Sequence, residues 1–250
     1  MNARTDLAPV GGPAGRPHTL ETARARAAAG SVAFTAGVAF VCARSTGSDG
    51  RAAAALDVVN LAWFAAFAWK LGDRALWKLL AAAAVFGATE LLADFLCVRC
   101  TGTLDYSVAR SALLLESPWW MPASWAVVAV QVGVGGDAAI RGCGPVHGAL
   151  LTGALAAILI PFYEQMAWGA NWWRYRGCLL LGHAPVYIVV AEAAIGVGLA
   201  WLGHLALRAC SWRAAVPLGL AGGLVTILGG AAGWGSVEFL CRGARPAWPF

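Results

Sequence analysis

The sequence predicts an all-α protein, a polytopic bundle of about seven transmembrane helices. Of its 250 residues, 60% are hydrophobic and only 12% are charged, whereas a soluble domain carries about 25% charged residues. The apolar residues are spread over the whole length, in stretches that approach the roughly 20 residues needed to cross a bilayer. We therefore interpret the chain as an integral membrane protein with many spans.

Seven apolar stretches are candidate spans, and the arginines lie between them. The stretches cover residues 27–43, 52–69, 75–98, 117–140, 145–165, 179–207 and 214–240. The last is rich in glycine, and small residues let helices approach closely in lipid. Residues 1–23 are polar and contain several Pro and Gly residues, which predicts a disordered cytoplasmic tail. Residues 24–250 then form a single transmembrane helical domain.

The charge pattern favours an N-terminus in the cytoplasm, and we expect the membrane to be a bacterial plasma membrane. That orientation places ten Lys and Arg residues on the cytoplasmic side and eight on the other, in agreement with the positive-inside rule. Alanine, glycine and arginine dominate the composition, which is typical of a GC-rich genome. The net charge of +5 comes from arginines scattered at the ends of spans, so it fits contact with membrane lipids and indicates no nucleic-acid partner.

Several function classes are excluded by missing residues. A rhodopsin needs a lysine in the last span, and the two lysines of this chain, Lys70 and Lys78, lie elsewhere. The aspartate-rich motifs that bind prenyl diphosphates through magnesium are absent, as are H-E-x-x-H, G-x-S-x-G and the P-loop. Of seven cysteines only Cys97 and Cys100 are closely spaced. We therefore expect core-filling thiols, no metal site and no cofactor.

Residues 160–192 form a segment typical of the interface between water and lipid. Its polar and aromatic side chains include, in order, Tyr163, Glu164, Trp172, Trp173, His183, Tyr187 and Glu192. Trp and Tyr prefer the interface because a flat apolar ring carries one polar atom. An aromatic belt anchored by arginine explains such a loop, whereas convergence with acids of other spans indicates a pocket.

The acids of distant spans are expected to meet at one end of the bundle. In an alternating seven-span bundle, the ends of the odd-numbered spans share a side with the starts of the even-numbered spans. The residues near that side are Asp57, Glu90, Asp94, Glu116, Glu164, His183 and Glu238. An ionised side chain in lipid costs about 2.5–3.5 kcal/mol, so such groups should face each other or a wet cavity. We predict that five of them border one cavity beneath a lid of loops 99–116 and 166–178: Asp57, Glu90, Asp94, Glu164 and His183.

Glu90 and Asp94 are the strongest candidates for chemistry. They lie four residues apart, hence on one face of one helix, with no basic residue on that face before the loop. Two neighbouring carboxylates in a poor solvent cannot both ionise easily, so the pair should act as a Brønsted acid. Asp57 and Asn60 are placed to supply hydrogen bonds, and Glu164 is the third catalytic candidate.

Two other acids have a plain structural explanation. Glu238 lies four residues before Arg242, and Asp137 lies four residues before Arg141, so both are expected to form helix-end ion pairs.

Glu192 lies about half a turn off the helix face of His183. Those two residues therefore need not act together.

One segment resembles known membrane enzymes. The sequence GATELLADFLCVRCTGTLDYS, followed by ESPWWMPASWAVV, places an acid in a span before a T-G-x-x-x-Y loop and a Pro/Trp-rich span. This arrangement resembles the membrane carotenoid hydratases and cyclases, with matching residues Glu90, Thr101, Gly102, Tyr106, Pro122 and Trp125. Size and span count are also similar to those of the seven-helix fungal meroterpenoid cyclases.

The resemblance implies a terpene-cyclase-like isomerase or lyase in which buried acids protonate an epoxide or alkene of an isoprenoid lipid, without cofactor. Aromatic faces would stabilise the carbocation. The candidate substrate-binding residues are Asp57, Asn60, Trp119, Trp120, Tyr163, Trp172, Trp173, His183, Tyr187 and Glu192. Two alternatives stay open: a small proton-coupled transporter, in which the acids form a relay, and a non-catalytic membrane partner protein. An inverted repeat would favour transport, and none is visible in the sequence.

Overall fold

A computed structural model describes residues 16–45 and 48–243, and it contains seven long helices in that part of the chain. They are α1 (Arg16–Arg44), α2 (Gly50–Leu71), α3 (Arg74–Arg99), α4 (Met121–Cys143), α5 (Pro145–Gly169), α6 (Val186–Arg208) and α7 (Ala215–Trp234), which continues as a π-helix over Gly235–Cys241. All seven are long and apolar enough to cross a membrane. The predicted all-α, seven-helix membrane bundle is confirmed.

Helix α1 begins earlier than the sequence pattern indicated. Residues 16–23, which we predicted to belong to the disordered tail, are helical, whereas residues 1–15 of that tail lie outside the described residues. Two ion pairs hold the start of α1 against the bundle: Arg24 pairs with Asp73, and Glu21 lies 2.7 Å from Arg141. Both partners sit at the end of the bundle opposite the long loops, where α2 meets α3 and where α4 ends.

The apolar core fills the middle of the bundle between α2, α3, α4 and α6. Its buried residues include Phe64, Phe86, Val130 and Leu199. The ring of Phe86 packs edge-on against Trp125 with centroids 5.9 Å apart. This core separates the two polar ends of the bundle.

Two short β-hairpins precede α4 and α6, and they correct the predicted starts of the fourth and sixth spans. Strand β2 (Leu113–Leu114) pairs with β3 (Ser117–Pro118), and β5 (Leu180–Leu181) pairs with β6 (Ala184–Pro185). Each hairpin turns through two residues, a length that favours left-handed backbone; Leu115, Glu116 and Gly182 have φ of 48°, 72° and 64°. The helices therefore begin at Met121 and Val186 rather than at residues 117 and 179.

The two long loops pack together at one end of the bundle, as predicted. Strand β1 (Leu104–Asp105) pairs antiparallel with β4 (Arg174–Tyr175). The Arg176 amide donates to the Thr103 carbonyl at 2.9 Å, and its guanidinium lies 3.5 Å from Asp105. We call residues 100–120 and 170–185 together the lid, and this end of the bundle the lid end.

Helix–hairpin–helix units repeat within the bundle: α3 with α4, and α5 with α6. One constant offset in numbering matches Leu113 with Leu180, Pro118 with Pro185, Gly133 with Ala200, Gly136 with Gly203 and Asp137 with His204. The contacts between α4 and α6 are reciprocal, because Gly136 approaches Ala200 while Gly133 approaches Gly203. Reciprocal contacts are the property of two units related by an approximate two-fold axis. The units run in the same direction, so the repeat is parallel and not inverted.

Candidate functional site

Most acidic side chains in the described part of the chain are neutralised by arginine. Thirteen Asp and Glu residues occur in the sequence, and all but Asp6 are described. Seven form ion pairs with arginine: Glu21, Asp49, Asp73, Asp105, Glu116, Asp137 and Glu238. The other five have no basic partner among the described residues: Asp57, Glu90, Asp94, Glu164 and Glu192. All five are buried inside spans, and acids in that position indicate a functional site.

Four of these five acids form one cluster between α3, α5 and α6, which we call the acid cluster: Glu90, Asp94, Glu164 and Glu192. The Glu90 carboxyl interacts electrostatically with those of Asp94 and Glu192, and Glu164 interacts with the same two. One carboxyl oxygen of Glu90, Oε2, is buried and has no hydrogen-bond partner in the described structure. Four carboxyl groups this close in an apolar surrounding cannot all be ionised.

The lid donates hydrogen bonds to two members of the acid cluster. The Tyr106 hydroxyl donates to Asp94 at 2.6 Å, and the Ser117 hydroxyl donates to the same oxygen at 2.9 Å. On the other unit, the Trp173 indole N–H donates to Glu164 at 2.6 Å, and Tyr175 lies 3.4 Å from its second oxygen. The lid therefore fixes these two carboxyl groups by direct hydrogen bonds.

Asp94 and Glu164 occupy similar places near the ends of α3 and α5, although they do not match at the numbering offset of the repeat. Each lies five residues before the last residue of its helix, α3 or α5. Each is then bonded by an aromatic residue from the loop that follows its own helix. Glu90 and Glu192 have no acidic counterpart in the other unit. The acid cluster is therefore asymmetric, although the helices and hairpins around it are repeated.

Aromatic rings cover the acid cluster from the lid. The Trp173 ring lies 6.3 Å from Tyr106, 6.5 Å from Trp120 and 6.3 Å from Trp172, measured between centroids. Tyr187 is fully buried, its ring lies 6.5 Å from Tyr175, and its hydroxyl is 2.7 Å from that of Thr103. We call these rings the aromatic wall. Of its predicted members, Trp173 contacts an acid directly, Trp120 and Trp172 pack near Trp173, and Tyr187 packs near Tyr175.

The remaining predicted site residues contact other parts of the structure, so Asp57 and His183 do not join the other three acids with which they were predicted to lie. Asp57 accepts from Ser124 on α4. His183 stacks on Trp168 at the edge of the lid, with centroids 3.7 Å apart. Trp119 is 57% exposed. The alternating direction of successive spans predicts the end of the bundle at which a residue lies, but it does not predict the direction in which the side chain points.

Asn60 and Tyr163 face α1 rather than the acid cluster. The Ser31 hydroxyl donates to the Asn60 side chain at 2.5 Å, and Asn60 donates to Thr35 at 3.1 Å. Gln131 completes this polar group by donating to Ser31 at 2.8 Å. The Tyr163 hydroxyl lies 3.5 Å from the Val32 carbonyl. The predicted hydrogen bonds from Asn60 to Glu90 and Asp94 are therefore wrong, since Asn60 bonds to α1 instead.

Both predicted helix-end pairs are confirmed. Glu238 pairs with Arg242 at 2.5 Å and also accepts from the Leu179 amide at 2.8 Å. Asp137 lies 3.0 Å from Arg141, and it also pairs with Arg208 and with His204, at 2.9 Å, across α4 and α6. Within the described residues, no group of three or more His, Cys, Asp and Glu side chains is arranged to hold a metal ion.

The two lid tyrosines are expected to resist alkaline titration. Burial raises the pKa of Tyr106 and of Tyr175 well above its ordinary value, and the neighbouring acids add to the effect. Unfolded tyrosine ionises near pH 10, so above that pH the unfolded chain binds fewer protons and stability should fall as the pH rises. In the folded protein, Tyr106→Phe should leave the tyrosinate absorbance change between about pH 9 and 11 as large as in wild type. After denaturation the variant should show one tyrosinate fewer; a smaller change already in the folded variant would contradict the burial of Tyr106.

A known domain family covers most of the site. The family described as a domain of unknown function, DUF6989, matches residues 91–236, more than half of the chain. That range includes Asp94, Glu164, Glu192, the lid and both hairpins. No curated protein and no solved structure matches the chain.

Proposed function

The chain belongs to the DUF6989 family, and from its own residues we propose that it is a membrane-embedded isoprenoid cyclase or hydratase that works by Brønsted acid catalysis. One observation carries the proposal: four carboxyl groups lie together inside the membrane bundle, without a basic partner among the described residues, beneath a wall of Trp and Tyr rings. This combination supplies a proton, an aromatic surface and exclusion of water, which are the requirements of carbocation chemistry.

Glu90 is the proposed proton donor. Its Oε2 atom has no hydrogen-bond partner among the described residues, whereas Asp94 and Glu164 are fixed by the lid. The Glu90 O–H bond breaks as the proton adds to an alkene carbon or an epoxide oxygen of the substrate. A carbon–carbon bond then forms as a second alkene attacks the cation. The carbon next to the cation then loses a proton to a carboxylate of the acid cluster, and proton transfer within the cluster restores the Glu90 acid, with no net gain or loss of protons.

The aromatic wall has a separate proposed role. Trp173 bonds Glu164 and packs near Trp120, and Tyr187 is buried beside Tyr175; the proposed role of these rings is to attract the cation electrostatically. The burial of Trp120 and Tyr187 restricts the access of water to the cation, which favours the cyclase over the hydratase as the proposed activity. The substrate class that fits is a neutral isoprenoid lipid that enters from the membrane.

A proton-coupled carrier is the second candidate, and the repeat of α3–α4 in α5–α6 favours it. Parallel repeats related by an axis along the membrane normal occur in transporters, and the reciprocal contacts between α4 and α6 have that geometry. In a carrier, the same four carboxyl groups would bind and release the coupled proton. For either function we propose a bacterial plasma membrane, with the N-terminus in the cytoplasm; the ten-to-eight distribution of Lys and Arg supports this orientation.

Expression in a host that makes prenyl lipids distinguishes the two functions. If the protein is a cyclase, lipid extracts should contain a new compound with the mass of its precursor; if a hydratase, a compound heavier by one water. If it is a carrier, no new compound forms, and membrane vesicles show uptake that depends on a pH gradient. An unchanged lipid profile in several such hosts, combined with pH-dependent uptake, would refute the enzyme.

A further inference from the structure

Two adjoining cavities open on the outer surface of the lid, away from the acid cluster. They have volumes of about 540 and 160 Å³ and share Asp49 and Arg110. We call them together the lid basin, and its polar lining consists of Ser48, Asp49, Arg51, Ser107, Arg110, Ser111, Asn171 and Arg174. The basin joins the start of α2 to both lid loops, since the Trp172 indole donates to the Asp49 carbonyl at 3.1 Å.

The lid basin carries an excess of positive charge. Its three arginines face one acid, Asp49, which is already engaged: it accepts from the Arg51 amide at 2.8 Å and lies 3.9 Å from the Arg51 guanidinium. Arg110 makes no ion pair or hydrogen bond with any described residue. Arg110 is therefore left without a counter-charge, and Arg174, which lies opposite Asp105 in the β1–β4 pair, shares that acid with Arg176.

Arg174 is held in place by two uncharged partners. Its guanidinium donates to the Asn171 side chain at 2.7 Å and lies over the Trp168 ring, 5.5 Å from the centroid. Neither of these two partners carries a negative charge, and the nearby Asp105 carboxylate already lies 3.5 Å from the Arg176 guanidinium. An arginine fixed in this way presents its donors with little loss of side-chain freedom on binding.

The lining also offers neutral donors and a constrained backbone. The Ser48 hydroxyl oxygen is shielded from solvent and has no hydrogen-bond partner in the described structure. Arg110 and Asn171 adopt left-handed backbone with φ of 49° and 56°, which L residues other than glycine rarely adopt. These two residues stand on opposite loops of the lid and both line the larger cavity.

We propose that the lid basin binds a phosphate group, held by Arg110 and Arg174 with serine hydroxyls as additional donors. Arginine forks match phosphate geometry and give charge-assisted hydrogen bonds. A phospholipid headgroup and a soluble phosphate compound share this chemistry, and the lid end is accessible to both. The site is separate from the acid cluster, so it stands whether or not the proposed catalysis is correct.

Calorimetric titration of the full-length protein in an uncharged detergent with inorganic phosphate tests the soluble source. Melting in the presence of short-chain phosphatidylglycerol, against phosphatidylcholine, tests the lipid source. Loss of one charge-assisted hydrogen-bonding arginine should weaken binding roughly tenfold, so we expect that change for Arg110→Gln and for Arg174→Gln. Arg44→Gln is the matched control: Arg44 also lies at the lid end, stacked on Phe40 outside the lid basin.

The pattern of binding among the variants distinguishes a soluble ligand, a lipid headgroup and no phosphate site. Phosphate binding that the two basin variants weaken, and Arg44→Gln leaves intact, supports the site with a soluble ligand. Stabilisation by phosphatidylglycerol alone, with the same pattern among variants, supports a lipid headgroup. The proposal is overturned if neither probe binds, if the double variant Arg110→Gln with Arg174→Gln binds as wild type does, or if Arg44→Gln loses as much as the basin variants.

Discussion

Glu90→Gln and Asp94→Asn are each expected to abolish product formation in membranes while the protein remains folded and inserted. The two side chains lie four residues apart on α3, both buried, and neither has a basic partner in the described structure. An amide keeps the shape of a carboxyl group and most of its hydrogen bonds, but it cannot deliver a proton. General acid catalysis contributes about 10²–10⁴-fold, and the start of a carbocation should depend on it at least as strongly.

The measurement is product formed per amount of folded protein, with folding checked by gel filtration in detergent. Glu116→Gln is a suitable control, because Glu116 pairs with Arg99 at the surface of the lid and not with the acid cluster; it should retain most activity. If both α3 variants turn over at the wild-type rate, the proton comes from elsewhere, with Glu164 next and Glu192 after it. If the protein is a carrier, the same two variants should instead lose pH-dependent uptake.

The topology and the shared end of the acids could be predicted from the sequence because both depend only on counting apolar stretches. Once seven spans alternate, Glu90, Asp94 and Glu164 must lie at one end, and the structure places them together there. The pairing of the two lid loops follows from the same count. The spacing of Glu90 and Asp94 also fixed their common helix face, since a difference of four residues is nearly one turn.

The inward direction of each side chain could not be predicted in the same way. The sequence relates Glu192 directly only to residues of its own helix such as His183, whereas the structure places it beside Glu90 and Glu164 on other helices. A helical face is known from the sequence, but the neighbour that it meets depends on how the helices rotate and pack. Tyr175, which bonds Glu164, was missed as a site residue for this reason.

The hairpins left a signal in the sequence that apolar periodicity does not detect. The segments LLLESP (113–118) and LLGHAP (180–185) share their first two leucines and final proline. Such a short apolar run before proline merges with the following span in any hydropathy count, which explains the early predicted starts of α4 and α6. The two segments match at the numbering offset of the repeat, so internal sequence similarity is the signal that indicates the repeated units.

Gly136→Val is expected to destroy or severely destabilise the bundle, whereas Gly135→Val should be tolerated. A Cβ atom on Gly136 would lie 2.5 Å from the Ala200 Cα atom, where α4 crosses α6. A Cβ atom on Gly135 would meet no described atom within 4 Å. Because the two positions are adjacent on one helix, the effect of valine on helix propensity is nearly the same in both variants, and only the packing differs.

The size of the effect follows from the rigidity of the contact. Overpacking a well-packed core costs about 1–3 kcal/mol when side chains can move, and here the obstructing atom belongs to the backbone. A loss of about 3 kcal/mol lowers the melting temperature of a chain of this size by roughly 10 °C, so Gly136→Val should melt at least that much below Gly135→Val in the same detergent. Gly203→Val should behave like Gly136→Val, because Gly203 is its equivalent in the second unit and meets the Gly133 backbone. Equal melting temperatures for the Gly135 and Gly136 variants would show that α4 and α6 do not meet at this point, and the reciprocal contact between the two units would be lost with it.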